Sequence, residues 1–97
     1  MVKHIILWKL KDEFNNPEHK QLMKTKLEEL NGKIEGLIKL ELQIDSLASS
    51  NCDVMLYSEF ESEQSLKDYA IHPDHVYVAD NFVRPCAQTR LCIDFEV

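Results

Sequence analysis

The segment His4-Ile5-Ile6-Leu7-Trp8-Lys9-Leu10 decides how this chain folds. Read as a strand with a period of 2, it places Ile5 and Leu7 on one face and His4, Ile6, Trp8 and Leu10 on the other. Both faces are apolar. A strand with one wet side alternates apolar and polar residues, whereas a strand apolar on both sides is covered on both. One layer of helices covers one side of a sheet, so the other side calls for a further layer.

The flanking sequence supplies the first layer. Asn15 or Asn16 stands where it can cap a helix that opens with Pro17. Leu22, Met23, Leu27, Leu30 and Ile34 then recur near every 3.6 residues. Asn31-Gly32 is a helix stop and Glu35-Gly36 a second break. Ile38 to Ile44 alternates and reads as a second strand with one wetter face. Asp45 to Asp53 is a loop rich in serine and asparagine, and Val54 to Phe60 is a third strand with Tyr57 and Phe60 as β-favouring aromatics. Ser62 caps a second helix carrying Leu66, Tyr69 and Ala70, which His72-Pro73 interrupts. Asp74 is expected to cap a continuation through Phe82, closed by Arg84-Pro85. Leu91 to Val97 is the last strand, with Leu91, Ile93, Phe95 and Val97 on one face.

The order β-α-β-β-α-β predicts an α+β, ferredoxin-like fold: an antiparallel four-stranded sheet with its helices on one face. Ile5, Leu7, Leu91, Ile93 and Phe95 then point away from the helices. The simplest cover for them is a second copy of the chain, packed sheet against sheet in a two-fold homodimer. Tyr57 alternates out of phase with Val54 and Leu56 and is expected on that dimer side.

The 97 residues are expected to form a single domain, 1–97. Seventeen acidic residues against 11 basic ones give a net charge of −6. Such a surface repels phosphate backbones, so neither nucleic acid nor an anionic membrane is an expected partner. The longest apolar run, Ile5 to Trp8, is far too short to span a bilayer. Met1-Val2-Lys3-His4 carries no signal-peptide pattern, and a cytoplasmic location is the default expectation. Cys52, Cys86 and Cys92 are odd in number and lack CxxC spacing, which argues against a disulfide framework and structural zinc. They are expected to be reduced, and buried or incidental.

The chemistry concentrates in Tyr69-Ala70-Ile71-His72-Pro73-Asp74-His75, two imidazoles and a phenol around a helix break. Imidazole exchanges protons near neutral pH, and a phenol can polarise a carbonyl oxygen, so the cluster points to a small-molecule pocket. His75 is a candidate general base, with Tyr69 bonded to it or to a developing enolate oxygen. His4 either positions a ligand oxygen or is a core histidine bonded to backbone. His72 is expected to end its helix and bond across the break. Trp8, Leu27, Val54, Leu56, His72 and Arg90 are candidate pocket lining, although plain core packing accounts for most of the apolar ones. Arg90, in phase with Cys92 and Asp94, either pairs with a nearby acid or turns toward the helices to hold an anionic group. Asp94 is expected to accept hydrogen bonds from His4 or a helix end. Pro73 spoils the register of His72 with His75, and no carboxylate completes a facial set, so neither a metal nor a cofactor is expected. His19 is expected to be solvated. No nucleophile elbow, P-loop, dinucleotide fingerprint or HExxH occurs.

The stretch His4 to Asp12, the Glu35-Gly36-Leu37 turn, Ser58-Glu59-Phe60, the Tyr69 to His75 segment and the closing Asp94-Phe95 together resemble the stress-responsive A/B barrel (Dabb) family of dimeric α+β barrels. The likeness runs from His4 to Phe95. It implies a homodimer whose two sheets form a barrel with helices outside. It implies no single activity, because most members have no assigned reaction. One characterised relative, a plant polyketide cyclase, closes a ring by aldol condensation without metal or cofactor. It uses a tyrosine and the second histidine of an HPxH motif, in a cavity between sheet and helices. The resemblance gives those roles to Tyr69 and His75 and matches the first-strand histidine to His4. A further pocket histidine of that relative falls at Val54 here, which argues against the same substrate. Two readings follow. One is a binding protein without chemistry, with a narrow pocket and Tyr69 far from His75. The other is a cofactor-independent cyclase, lyase or isomerase acting on a small apolar carbonyl compound, with an apolar cavity in which the Tyr69 oxygen lies within a hydrogen bond, or one water, of His75.

Overall fold

The computed structural model describes residues 1–97. Strand β1 (Val2–Leu10), helix α1 (Pro17–Glu28), strands β2 (Leu37–Gln43) and β3 (Val54–Phe60), helices α2 (Glu63–Ile71) and α3 (Pro73–Val78) and strand β4 (Ala87–Glu96) follow in order. The strands form one sheet in the order β2-β3-β1-β4, with every neighbouring pair antiparallel. This is the ferredoxin-like arrangement, with β1 at the centre flanked by β3 and β4.

The register assigns each residue of β1 a face. Ile6 is opposite Leu56 and Cys92, and Trp8 is opposite Val54 and Arg90. Val2, Ile6, Trp8 and Leu10 are buried with Leu40, Leu42, Leu56 and Phe60 against Met23 and Leu27 of α1 and Tyr69 of α2. The other face carries the rows Tyr57–Ile5–Ile93 and Met55–Leu7–Leu91. No element of the chain covers it: Leu91 and Ile93 are 59% and 60% exposed, and Phe95 is 39% exposed. Tyr57 lies on this face as expected, with the ammonium groups of Lys3 and Lys39 at 5.5 and 5.9 Å from its ring centre.

Local signals explain the helix boundaries. The Asn16 side chain accepts the His19 N–H at 2.8 Å and Pro17 opens α1. The helix ends at Glu28, short of Ile34. The Asn31 side chain then bonds both the N–H and the carbonyl of Leu40, at 2.9 and 2.8 Å, and Gly32 takes the positive φ of 81° that glycine tolerates. Leu30 and Ile34 are buried all the same, from turns rather than from helix. A register shift between Leu37 and Lys39 turns Leu37 inward and leaves Ile38 51% exposed. The last strand begins at Ala87, earlier than the apolar pattern from Leu91, because Ala87, Thr89 and Arg90 pair with β1, with Gln88 the extra residue at a register shift.

The break between α2 and α3 corrects one expectation. His72, not Asp74, caps α3: its Nδ1 accepts the Asp74 N–H at 3.1 Å. The residue before a proline is pushed to extended backbone, which is also the N-cap conformation. His72 has ψ 132° and so meets both demands. One wider turn, Ala79–Val83, and a short turn, Arg84–Cys86, return the chain to β4. No helix is long and apolar enough to cross a membrane.

Candidate active site

Tyr69 sits on the inner side of α2, 2% exposed, with its ring centre 4.9 Å from that of Phe60. The α2–α3 break swings His75 back over it, and the two ring centres lie 4.1 Å apart at 34°. The rings stack, and no hydrogen bond joins them. His75 Nδ1 instead lies 3.2 Å from the Ala70 carbonyl. A carbonyl only accepts, so Nδ1 carries the proton and the Nε2 lone pair is left without a protein partner. Burial lowers the proton affinity of His75 below the ordinary imidazole range. The Ala70 hydrogen bond opposes this, and the positive charges of Arg84 and Arg90 add to it. Burial also pushes the Tyr69 phenol well above its usual range. At neutral pH the pair is thus a neutral base beside a protonated phenol.

His4 lies next to this pair, its ring centre 6.4 Å from that of Tyr69. It is 7% exposed. Asp94 stands directly opposite on β4, and the two side chains are hydrogen bonded, the His4 Nδ1–H donating to Oδ1. Ser58, opposite His4 on β3, donates its hydroxyl to the His4 carbonyl at 2.9 Å. Asp94 therefore holds the imidazole in one orientation, while Ser58 ties down only the backbone beneath it.

Tyr69 and His75 open onto a cavity of about 440 Å³, eight of whose eleven lining residues are hydrophobic. Trp8, Leu27, Leu56 and Arg90, all anticipated from sequence, stand in its wall. Two anticipated residues do not. Val54 is buried in the core at the start of β3 and borders a concavity under the 43–55 loop. His72 turns outward to cap α3 and borders a groove with Gly36 and Ser65. His4 borders an adjoining concavity between α2 and β4, and Arg90 belongs to both. Two concavities are larger, at about 540 and 590 Å³, but they are more open and lack the phenol and imidazole pair. Ala79, Val83, Arg84 and Ala87 also line the cavity and were not anticipated. Arg84-Pro85 read only as a helix stop.

Three further expectations change. Arg90 forms none of the chain's ion pairs. Cys92 is not in apolar surroundings: its sulfur lies 3.7 Å from His4 Nδ1 and 3.5 Å from Asp94 Oδ1. These three ligand atoms all lie within 4.8 Å of one another, a spacing compatible with a metal ion. The set was hidden in the sequence because it is split between β1 and β4. As it stands, the His4 nitrogen in that set is spent on its hydrogen bond to Asp94. His19 is not freely solvated: its ring packs 5.0 Å from Phe14, and its Nε2 is buried without a partner.

Fold and cavity together define the class: a ferredoxin-like α+β protein with an apolar cavity between sheet and helices, lined by a phenol and an imidazole, and an uncovered second sheet face. Within that class, the chain belongs to the stress responsive A/B barrel domain (Dabb) family, whose sequence profile matches residues 2–97. A stress-response A/B barrel domain-containing protein of Arabidopsis thaliana is 28% identical over 103 residues. That match takes in 98% of this chain but 36% of the relative, so this chain spans about a third of its length. A dimeric protein of unknown function and ferredoxin-like fold from Bacteroides fragilis superposes with a TM-score of 0.85 at 33% identity, over 99% of this chain and 95% of that one. A dimeric ferredoxin-like protein of unknown function from Thermobifida fusca gives 0.87 at 25% identity, over 99% and 90% of the respective chains.

Proposed function

We propose that this Dabb protein is a homodimer that binds a small apolar carbonyl compound and moves a proton beside the carbonyl without a cofactor, as a cyclase, lyase or isomerase. One observation carries the reading: a single apolar cavity holds a protonated phenol and a neutral imidazole whose free nitrogen is an acceptor. His75 Nε2 takes the proton from the carbon next to the carbonyl, and the C–H electron pair moves onto the carbonyl oxygen. The Tyr69 hydroxyl donates to that oxygen as charge develops on it. The imidazolium then returns the proton to the same or another carbon; alternatively the enolate carbon attacks a second carbonyl of the same molecule, whose π electrons move to its oxygen, and that alkoxide takes the proton from the imidazolium. His4, whose ring is fixed by Asp94, orients the ligand from the adjoining concavity. Two observations favour this reading over binding without chemistry: the cavity is roomy, and its two polar groups adjoin.

The dimer has separate support in the uncovered apolar sheet face and in the dimeric state of both solved relatives. Three unpaired cysteines suit a reducing compartment such as the cytoplasm.

The test is exchange of the α-protons of 5-phenyl-2-pentanone in D₂O, followed by NMR. Wild type should exchange them faster than buffer. Tyr69→Phe and His75→Gln should each slow this by roughly 10²-fold or more. Tyr69→Phe should melt close to wild type, because the hydroxyl has no protein hydrogen bond to lose. Wild-type exchange no faster than buffer would refute the reaction.

A further inference from the structure

We propose that the ligand of this cavity is an acid, whose carboxylate is held by Arg90 at the mouth while its apolar body lies against Trp8 and Leu56. The proposal adds a substrate class to the reading above, which it needs only for the placement of the carbonyl at Tyr69 and His75.

Charge carries the argument. The chain has 17 acidic residues against 11 basic ones, yet the cavity wall contains no carboxylate. Its two charged residues are both arginines, Arg84 and Arg90. Arg84 is committed to Asp80, four residues earlier. Arg90 has no such partner. The carboxylate two pleats further along the same face of β4, Asp94, is engaged by His4. One exposed guanidinium, with only the Cys92 thiol beside it, is therefore without a carboxylate partner at the edge of an apolar cavity in an otherwise acidic protein.

Position points the same way. Arg90 is opposite Trp8 in the sheet register and borders both the main cavity and the concavity next to His4. A guanidinium presents a planar fork of donors that matches a carboxylate with two parallel hydrogen bonds. Low-dielectric walls strengthen such a pair relative to open water. A cationic ligand would be repelled by both arginines, and a neutral one would leave the fork unused. A single free guanidinium suits a monoanion. The bound charge also helps the chemistry: the two arginines disfavour a proton on His75, and a carboxylate beside them offsets that when the imidazole accepts a proton. The substrate class is thus an oxo acid with an apolar body.

The chain's single tryptophan, Trp8, lies in the cavity wall and reports binding by its fluorescence. The probes are 4-phenylbutanoate and 5-phenyl-2-pentanone, which share an apolar body and differ in charge. The carboxylate should bind wild type about tenfold or more tightly than the ketone. Arg90→Gln should weaken the carboxylate by a similar factor and leave the ketone within about threefold, and Arg90→Lys should fall between. Equal affinity of wild type for the two probes would overturn the proposal, as would equal weakening of both by Arg90→Gln. If Arg90→Gln does not fold, the salt dependence of wild-type binding decides instead. Carboxylate affinity should fall from 20 to 300 mM NaCl with the ketone unchanged, and parallel behaviour refutes the subsite. Loss of exchange with carboxylate binding intact refutes the reaction alone. Exchange without carboxylate preference refutes the subsite alone.

Discussion

His75 owes its chemistry to one backbone contact and one environment. The Ala70 carbonyl fixes which nitrogen bears the proton, and burial keeps the ring neutral. Its proton affinity is lower folded than unfolded, so the unfolded chain binds more protons below the ordinary value of about 6.5. The stability this group contributes is complete above that pH and falls as the pH drops through the window down to the lowered value. Wild type should therefore lose more melting temperature between pH 7 and pH 5 than His75→Gln does, as scanning fluorimetry would show. Equal losses would mean that His75 titrates as in water. The importance of Tyr69 and His75 was legible because they lie six residues apart around a proline. Cys92 was not, because what changes its surroundings is the pairing of β4 with β1, whose register no local pattern encodes. Val54 was misplaced for a related reason. Alternation gives a residue's face, but not its height along the strand relative to a cavity.

The break between α2 and α3 is the element that assembles the site. A continuous helix would carry His75 away from Tyr69; an extended residue followed by proline turns it back. Since His72 is the cap, His72→Ala should cost about 1 kcal/mol in urea denaturation and Asp74→Ala distinctly less. The reverse order would restore Asp74 to the capping role that the sequence suggested. Sequence reading recovered every strand and both helical stretches because each carries its own periodicity and punctuation. It overextended α1 because Leu30 and Ile34 keep a helical spacing while the Asn31 side chain, bonded to Leu40, unwinds the chain beneath them. It shortened β4 because Thr89 and Arg90 pair with β1 through backbone, which needs no apolar side chain.

At the scale of the whole molecule, β1 is the centre of two layers. Its inner residues build the core with the helices; its outer residues, Ile5 and Leu7, head an apolar field that continues through Leu91, Ile93 and Phe95. This surplus was the most legible property of the sequence, since it follows from composition and alternation alone. Sedimentation should find a dimer at micromolar concentration. Leu7→Asp, which places a charge in the middle of that field, should give a folded monomer with unchanged circular dichroism. A wild-type monomer would remove the case for the interface.

Strands β1 and β4 lie side by side, and the N–H of Val97 donates to the carbonyl of Met1 at 2.9 Å. The cavity and the concavity beside it are thus stitched from two strands far apart in sequence: His4 and Trp8 come from β1, Arg90 and Asp94 from β4. A chain emerging from a ribosome cannot assemble this cavity until β4 has been delivered and paired with β1. Every premature stop before that strand yields a fragment without the guanidinium, without the carboxylate that steadies His4, and with the central strand's edge bare and prone to aggregate.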